Sequence, residues 1–211
     1  MKLYDFLPCP FGQKVRIILA EKALSYELMP VDIAQGDQRR PEFLRLNPFG
    51  RVPILVDEDT VVYDSTIIAE YLEDEYPEPP LLPPVGSSAL RARARVWEDF
   101  ADTSFTPQVG QLMAELTKPE AERDPNRMQR LQQSIERVLV YLNHELQGQE
   151  YLAGQFSVAD IAFVPRLVVL RDLGIEAGQN RPNVESWMAR MIERPSIQNL
   201  EGLTSQFVAG V

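Results

Sequence analysis

The 211-residue sequence holds one cysteine, Cys9, and one histidine, His144. That scarcity rules out a disulfide framework within the chain and a zinc cluster built from Cys and His. Lysine is also rare: of 21 basic residues only Lys2, Lys14, Lys22 and Lys118 are lysine, the others being arginine. Basic side chains are outnumbered by 31 acidic ones, and a net charge of −10 argues against a surface made for nucleic-acid phosphates. No apolar run approaches the roughly 20 residues of a membrane span. The opening Met1-Lys2-Leu3-Tyr4-Asp5 lacks the apolar core of a secretion signal. These absences describe a chain expected in the cytoplasm, bound to neither membrane nor nucleic acid, and without a metal.

The stretch that organises the chain is Asn47-Pro48-Phe49-Gly50-Arg51-Val52-Pro53-Ile54-Leu55-Val56-Asp57, followed by Val61-Val62-Tyr63-Asp64-Ser65. Asn-Pro and Phe-Gly are turn signals, because proline fixes φ and glycine accepts positive φ. Ile54–Val56 is long enough for one buried strand, and Val61–Tyr63 reads as its hairpin partner. Asp64-Ser65 then precedes Ile67, Ile68, Tyr71 and Leu72 at helical spacing, so Ser65 opens a helix whose free N–H groups suit an anion. Pro53 stands between turn and strand. As a trans residue it opens the strand; as a cis residue it turns the Val52 N–H and C=O outward toward an extended peptide.

Elsewhere the first 76 residues read as β-α-β-α-β-β-α, a mixed sheet with helices on both faces. Residues 77–87 are a proline-rich linker, with Pro77, Pro79, Pro80, Pro83 and Pro84 unable to continue a helix. Residues 88–211 read as all-helical. One long helix runs from about Leu90, bends near Pro107 and continues to Leu116. Leu131, Ile135, Val138, Leu142 and Leu146 mark a second, ending at Gly148. A third starts at Ser157, capped by Asp160 and stapled by Phe156 to Ile161, and runs apolar nearly all round to Leu170. Two more cover Pro182–Arg194 and Ser196–Phe207.

Cys9 follows the first strand and precedes the first helix, so the free N–H groups of the helix start favour its thiolate. The flanking Pro8 and Pro10 place it in a turn, where exposure is usual. Gln38, Arg39 and Arg40 read on composition as a solvated face. Tyr4 reads as core, Asp99 and Asp102 as surface charge on the long helix, and His144 as incidental.

Asn-Pro-Phe-Gly-x-Val-Pro-x-Leu, a hairpin and then acidic-Ser opening a helix resembles the glutathione-binding half of cytosolic glutathione transferases. The Ser157-x-x-Asp160 box is similar to one in their second domain. The resemblance implies a thioredoxin-like domain followed by an all-α domain, as a cytoplasmic homodimer. It implies a cis Pro53, with Val52 pairing with the cysteinyl backbone of glutathione and Asp64-Ser65 holding the γ-glutamyl group. Cys9-Pro10-Phe11 resembles the omega-class active-site segment, in which the thiol forms a mixed disulfide with glutathione. Counted back from Val15-Arg16, Cys9 also takes the place of the zeta-class serine, which holds glutathione as its thiolate. By the same count a strand-one tyrosine donor would fall at Asp5, whose carboxylate repels a thiolate. Gly36–Pro41 is similar to a phi-class segment that puts Gln38 and Arg39 on the glycine carboxylate of glutathione, and Arg51 reaches the same region. Some classes send an acidic residue across the dimer, here Asp99 or Asp102. Phe11 and Phe105 are expected in the electrophile pocket. The implied activity is conjugation of glutathione to small electrophiles, with thiol transfer through Cys9 or reduction of dehydroascorbate as an enzymatic alternative. A non-catalytic interaction protein of the same fold is the other.

Overall fold

The computed structural model describes residues 1–202, so the helix expected over Ser196–Phe207 lies partly outside them. The chain begins with β1 (Lys2–Asp5), α1 (Pro10–Glu21) and β2 (Glu27–Pro30). It continues through α2 (Pro41–Leu46), the hairpin β3 (Ile54–Asp57) and β4 (Thr60–Tyr63), and α3 (Ser65–Glu75). The four strands stand in the order β2-β1-β3-β4, with β1 parallel to β2 and antiparallel to β3. Alternation along the strands sorts their two faces. Leu3 and Leu55 enter the main core with Val15, Ile18, Ile68 and Leu72. Tyr4 and Ile54 face the other way, toward Phe43 of α2 and Val31. Tyr4 stacks edge-on against Phe43 at 6.4 Å, as its strand parity predicts.

After Glu75 no helix or strand intervenes until α4 (Ser88–Phe100). This connection is held by buried charge. Glu73 accepts the N–H groups of Leu81 (3.0 Å) and Leu82 (3.1 Å) and pairs with Lys22 Nζ at 2.9 Å. Lys22 also donates to the carbonyls of Tyr76 and Pro79.

The remainder is helical. α4 leads through a wide π turn (Ala101–Phe105) into α5 (Thr106–Leu116). Pro107 has no N–H for the carbonyl four residues back, and the expected bend takes the form of this π turn. α6 (Pro125–Glu145) is capped by Asp124 and buries Leu131, Ile135, Val138 and Leu142. The helix expected over residues 157–170 is instead α7 (Val158–Ile161), α8 (Val164–Leu167) and a 3-10 turn (Arg171–Leu173). Pro165 removes the amide that would join α7 to α8, and Phe163 N–H bonds only three residues back, to Asp160. α9 (Pro182–Ile192) and α10 (Pro195–Gln198) complete the described chain.

Two features bind this half together. Phe163 touches Trp97, Phe105 and Trp187 with ring centroids 5.3 to 6.2 Å apart. Asp160, fully buried, accepts from Ser157 N (3.0 Å), Leu152 N (3.0 Å) and Trp187 Nε1 (2.8 Å). Against it all lies α1, buried from Gly12 to Leu19, with α3 on one side and α7 and α8 on another.

Candidate active site

Ile54 pairs with Tyr4 on one side and with Tyr63 on the other. The residues just beyond those pairs therefore emerge at one end of the sheet: Phe6–Cys9 after β1, Val52-Pro53 before β3 and Asp64-Ser65 after β4. Since Asp5 pairs with Pro30, the segment that leads to Gln38 and Arg39 starts at the same end. Four stretches far apart in sequence share one rim.

Each is fixed locally. The Val52-Pro53 bond is cis, as the resemblance implies. Among the described residues the Val52 N–H and C=O have no partner. The loop before it hangs on buried Asn47, which donates to the Arg51 carbonyl (2.8 Å) and accepts from Phe49 N (3.0 Å). Gly50, at φ +62°, lets this loop pass the Gln38 carbonyl, 3.0 Å from where a β-carbon would stand. Gln38 is half-buried with its Oε1 unpartnered, whereas Arg39 and Arg51 are exposed.

Asp64 is the N-cap of α3, so Ser65 is the first residue of the helix, as its position before the Ile67–Leu72 spacing implies. It holds φ +75°, a costly conformation for a residue with a side chain, and its Oδ1 accepts from Thr66 N (2.9 Å) and Ile67 N (3.4 Å). Its Oδ2 makes no bond among the described residues. Ser65 is buried.

Beneath this rim lies a buried charge network. Lys14 Nζ meets Glu98 at 2.9 Å, Asp102 at 2.5 Å and Thr66 Oγ1 at 3.3 Å. Burial pushes both carboxyls up and Lys14 pulls them down. Asp102 is thus engaged within its own chain, while Asp99 is exposed.

Cys9 is the N-cap of α1 and half-buried. Its thiol does not titrate low, as the helix start alone predicts. Burial raises it above the ordinary thiol value; the Gly12 and Phe11 amides and the Arg166 guanidinium lower it, and the Asp5 carboxylate raises it further. Asp5 lies under the same turn, fully buried, with Arg16 Nε 3.0 Å away and the Phe6 amide bonded to it at 2.8 Å. Burial lifts the Asp5 carboxyl to about 6 despite Arg16.

Phe11 is half-buried next to Cys9. Phe105 departs from expectation: it is 0% exposed, locked against Phe163, and lines no open surface. A cleft of about 980 Å³ exists among Leu167, Ile175, Met188, Ile192 and Leu200, but it contains none of the rim residues. Arg166, Lys14, Glu98 and Thr66 escape sequence reasoning. The one available signal is that Arg166 is the only charge between Ile161 and Leu170.

The sheet half and the helical half have counterparts among known proteins. Residues 3–80 match the family model for the glutathione S-transferase N-terminal domain, and residues 105–195 that for the C-terminal domain. Glutathione S-transferase 3 of Zea mays is 32% identical over 94% of this chain and 91% of its own. The chain belongs to the glutathione S-transferase family. Within that family it is also similar to the stringent starvation protein A homolog of Pasteurella multocida, at 32% identity over 92% of this chain and 87% of that one. The glutathione transferase URE2P8 of Phanerochaete chrysosporium, solved with oxidized glutathione, superposes with a TM-score of 0.84 at 30% identity, covering 93% of this chain and 91% of that one.

Proposed function

We propose that this family member is a glutathione transferase which lays glutathione across the rim and brings its sulfur to Cys9. Residues 1–76 bind the tripeptide and residues 88–211 supply the electrophile side, the two joined by residues 77–87. The observation that carries the reading is the double pairing of Ile54, which gathers Cys9, Val52 and Asp64 at one end of the sheet. The free Val52 N–H and C=O suit an extended peptide backbone, and Asp64 Oδ2 suits the γ-glutamyl ammonium. Gln38, Arg39 and Arg51 belong to segments that meet where Gly50 passes the Gln38 carbonyl, and they are assigned to the glycine carboxylate. The apolar side chains of Phe49 and Val96, exposed by 70% and 66%, support the homodimer, and the proposed compartment is the cytoplasm.

At Cys9 the raised titration of the thiol favours its neutral form, whose S–H donates to a glutathione thiolate. That thiolate, oriented and relieved of bulk water, attacks the electrophile. A second reading, thiol transfer through Cys9 itself, is favoured by the Gly12 and Phe11 amides and Arg166, all of which stabilise a thiolate there.

Retention on immobilised glutathione tests the binding, and failure to bind would move the protein to the non-catalytic members of the fold. Cys9→Ser and Cys9→Ala separate the chemistries. Conjugation of chlorodinitrobenzene is expected to survive in the serine variant and to fall in the alanine variant. Loss of hydroxyethyl disulfide reduction in both, with conjugation untouched in both, would make thiol transfer the main activity.

A further inference from the structure

The four fully or almost fully buried cations Lys14, Arg16, Lys22 and Arg181 each meet a carboxylate, from Glu98 and Asp102, Asp5, Glu73 and Glu136 respectively. Arg166 does not. It sits on α8, which packs against both α1 and α5. Its Nη1 donates to the Met113 thioether at 3.1 Å, a weak acceptor, and its Nε is buried without any partner. No carboxylate lies within ion-pair distance of it among the described residues. A desolvated guanidinium is costly unless an anion completes its hydrogen bonds, and its planar fork matches a carboxylate.

α8 packs on α1, the helix that Cys9 caps, and the guanidinium and the sulfur perturb each other's titration: the Arg166 charge lowers the thiol, and the sulfur raises the guanidinium, which burial otherwise depresses. The other charge at Cys9 is Asp5, of the wrong sign to hold an anion. We infer that Arg166 is a specificity-determining residue that receives a carboxylate beside Cys9, so that the site favours acidic co-substrates over neutral ones of the same shape. Calling that molecule the second substrate of glutathione rests on the function proposed above; the anion site does not.

The test uses Cys9 as the only thiol of the chain and needs no glutathione. Iodoacetate and iodoacetamide share a leaving group and differ in a carboxylate against an amide. The iodoacetate-to-iodoacetamide rate ratio at Cys9 is expected to exceed that of N-acetylcysteine by about tenfold, the factor carried by one charge-assisted hydrogen bond. Arg166→Met should return the ratio to the free-thiol value, and Arg166→Lys should keep part of it. If both rates fall together in Arg166→Met with the ratio unchanged, Arg166 acts only on the thiol and the inference is overturned. An unchanged ratio with unchanged rates overturns it equally. Should Arg166→Met fail to fold by circular dichroism, the unaltered protein decides: phenylacetate, but not phenylacetamide, must slow alkylation by iodoacetamide, and equal protection or none overturns the inference. A protein that binds no glutathione but passes these tests refutes the transferase reading alone.

Discussion

The Asp5 carboxylate fills the space in which a β-carbon on residue 12 would stand. The first strand and the first helix approach this closely because Gly12 offers only hydrogen there, which in turn lets the start of α1 present Cys9 at the sheet end. Gly12→Ala forces the turn away from β1, and overpacking of this kind costs about 1–3 kcal/mol. Thermal melting should show a loss of several degrees, with glutathione binding weakened. Asp5→Ala combined with Gly12→Ala should recover part of the loss; a strictly additive double variant would show that the two residues do not compete for space.

The same carboxylate gives a pH dependence whose sign is fixed. Asp5 titrates at about 6 in the fold against an ordinary value of 3.8, so the folded state binds the proton more tightly. Its contribution to stability is therefore greatest below pH 4 and declines as pH rises toward 6. Asp5→Asn removes that decline, and its melting temperature relative to the parent should climb between pH 4 and 6. Because Asp5 also raises the Cys9 thiol, the variant should react faster with iodoacetamide at neutral pH. Parallel melting curves against pH would contradict the first expectation, and an unchanged alkylation rate the second.

Lys14→Met leaves Glu98 and Asp102 facing each other without a cation. Breaking a buried pair in this way costs about 3–5 kcal/mol. The two carboxyls, already raised by burial, then rise further, so acidification that protonates them should narrow the gap to the parent. Chemical denaturation at two pH values measures it. A gap that acidification leaves unchanged would mean that the charges of Glu98 and Asp102 contribute nothing to it.

Asp160→Asn replaces an acceptor-only carboxylate by a group that must turn an NH₂ toward the N–H donors of Ser157, Leu152 or Trp187. One frustrated buried donor costs about 1–3 kcal/mol, which for a chain of this size lowers the melting temperature by roughly 2–12 °C. Glutathione affinity should hold in the protein that remains folded, since this cap belongs to the second half.

Much of the architecture is legible in the sequence. Turn residues at Asn47–Gly50, β-branched runs on either side of Asp57–Thr60 and the i, i+4 ladder from Leu131 to Leu142 act locally, so their spacing carries their structure. The rim is legible for a related reason: Val52, Asp64 and Cys9 each sit where one strand meets a turn. Buried charge is not legible this way. Lys14, Glu98 and Asp102 look like ordinary helix-surface residues until α1 and α4 are packed, because their burial depends on partners more than 80 positions apart. Phe105 misleads in the opposite sense, since an aromatic residue near a bend has the same composition whether it lines a pocket or fills the core. The Cys9 thiol is misjudged for one physical reason: the helix start is local and visible, whereas the desolvation that outweighs it comes from the whole surrounding fold.

Helix α1 is tied to the second half at both its ends, through Lys14 to Glu98 and Asp102 and through Glu21 to Arg194 at 2.6 Å. Evolution or an engineer exchanging helical halves between relatives would therefore be trading matched sets. A new second half must arrive with its own anions opposite Lys14 and its own cation opposite Glu21, or the graft strands charge at the seam. The border at which this protein is recombinable does not run through its proline-rich connection alone.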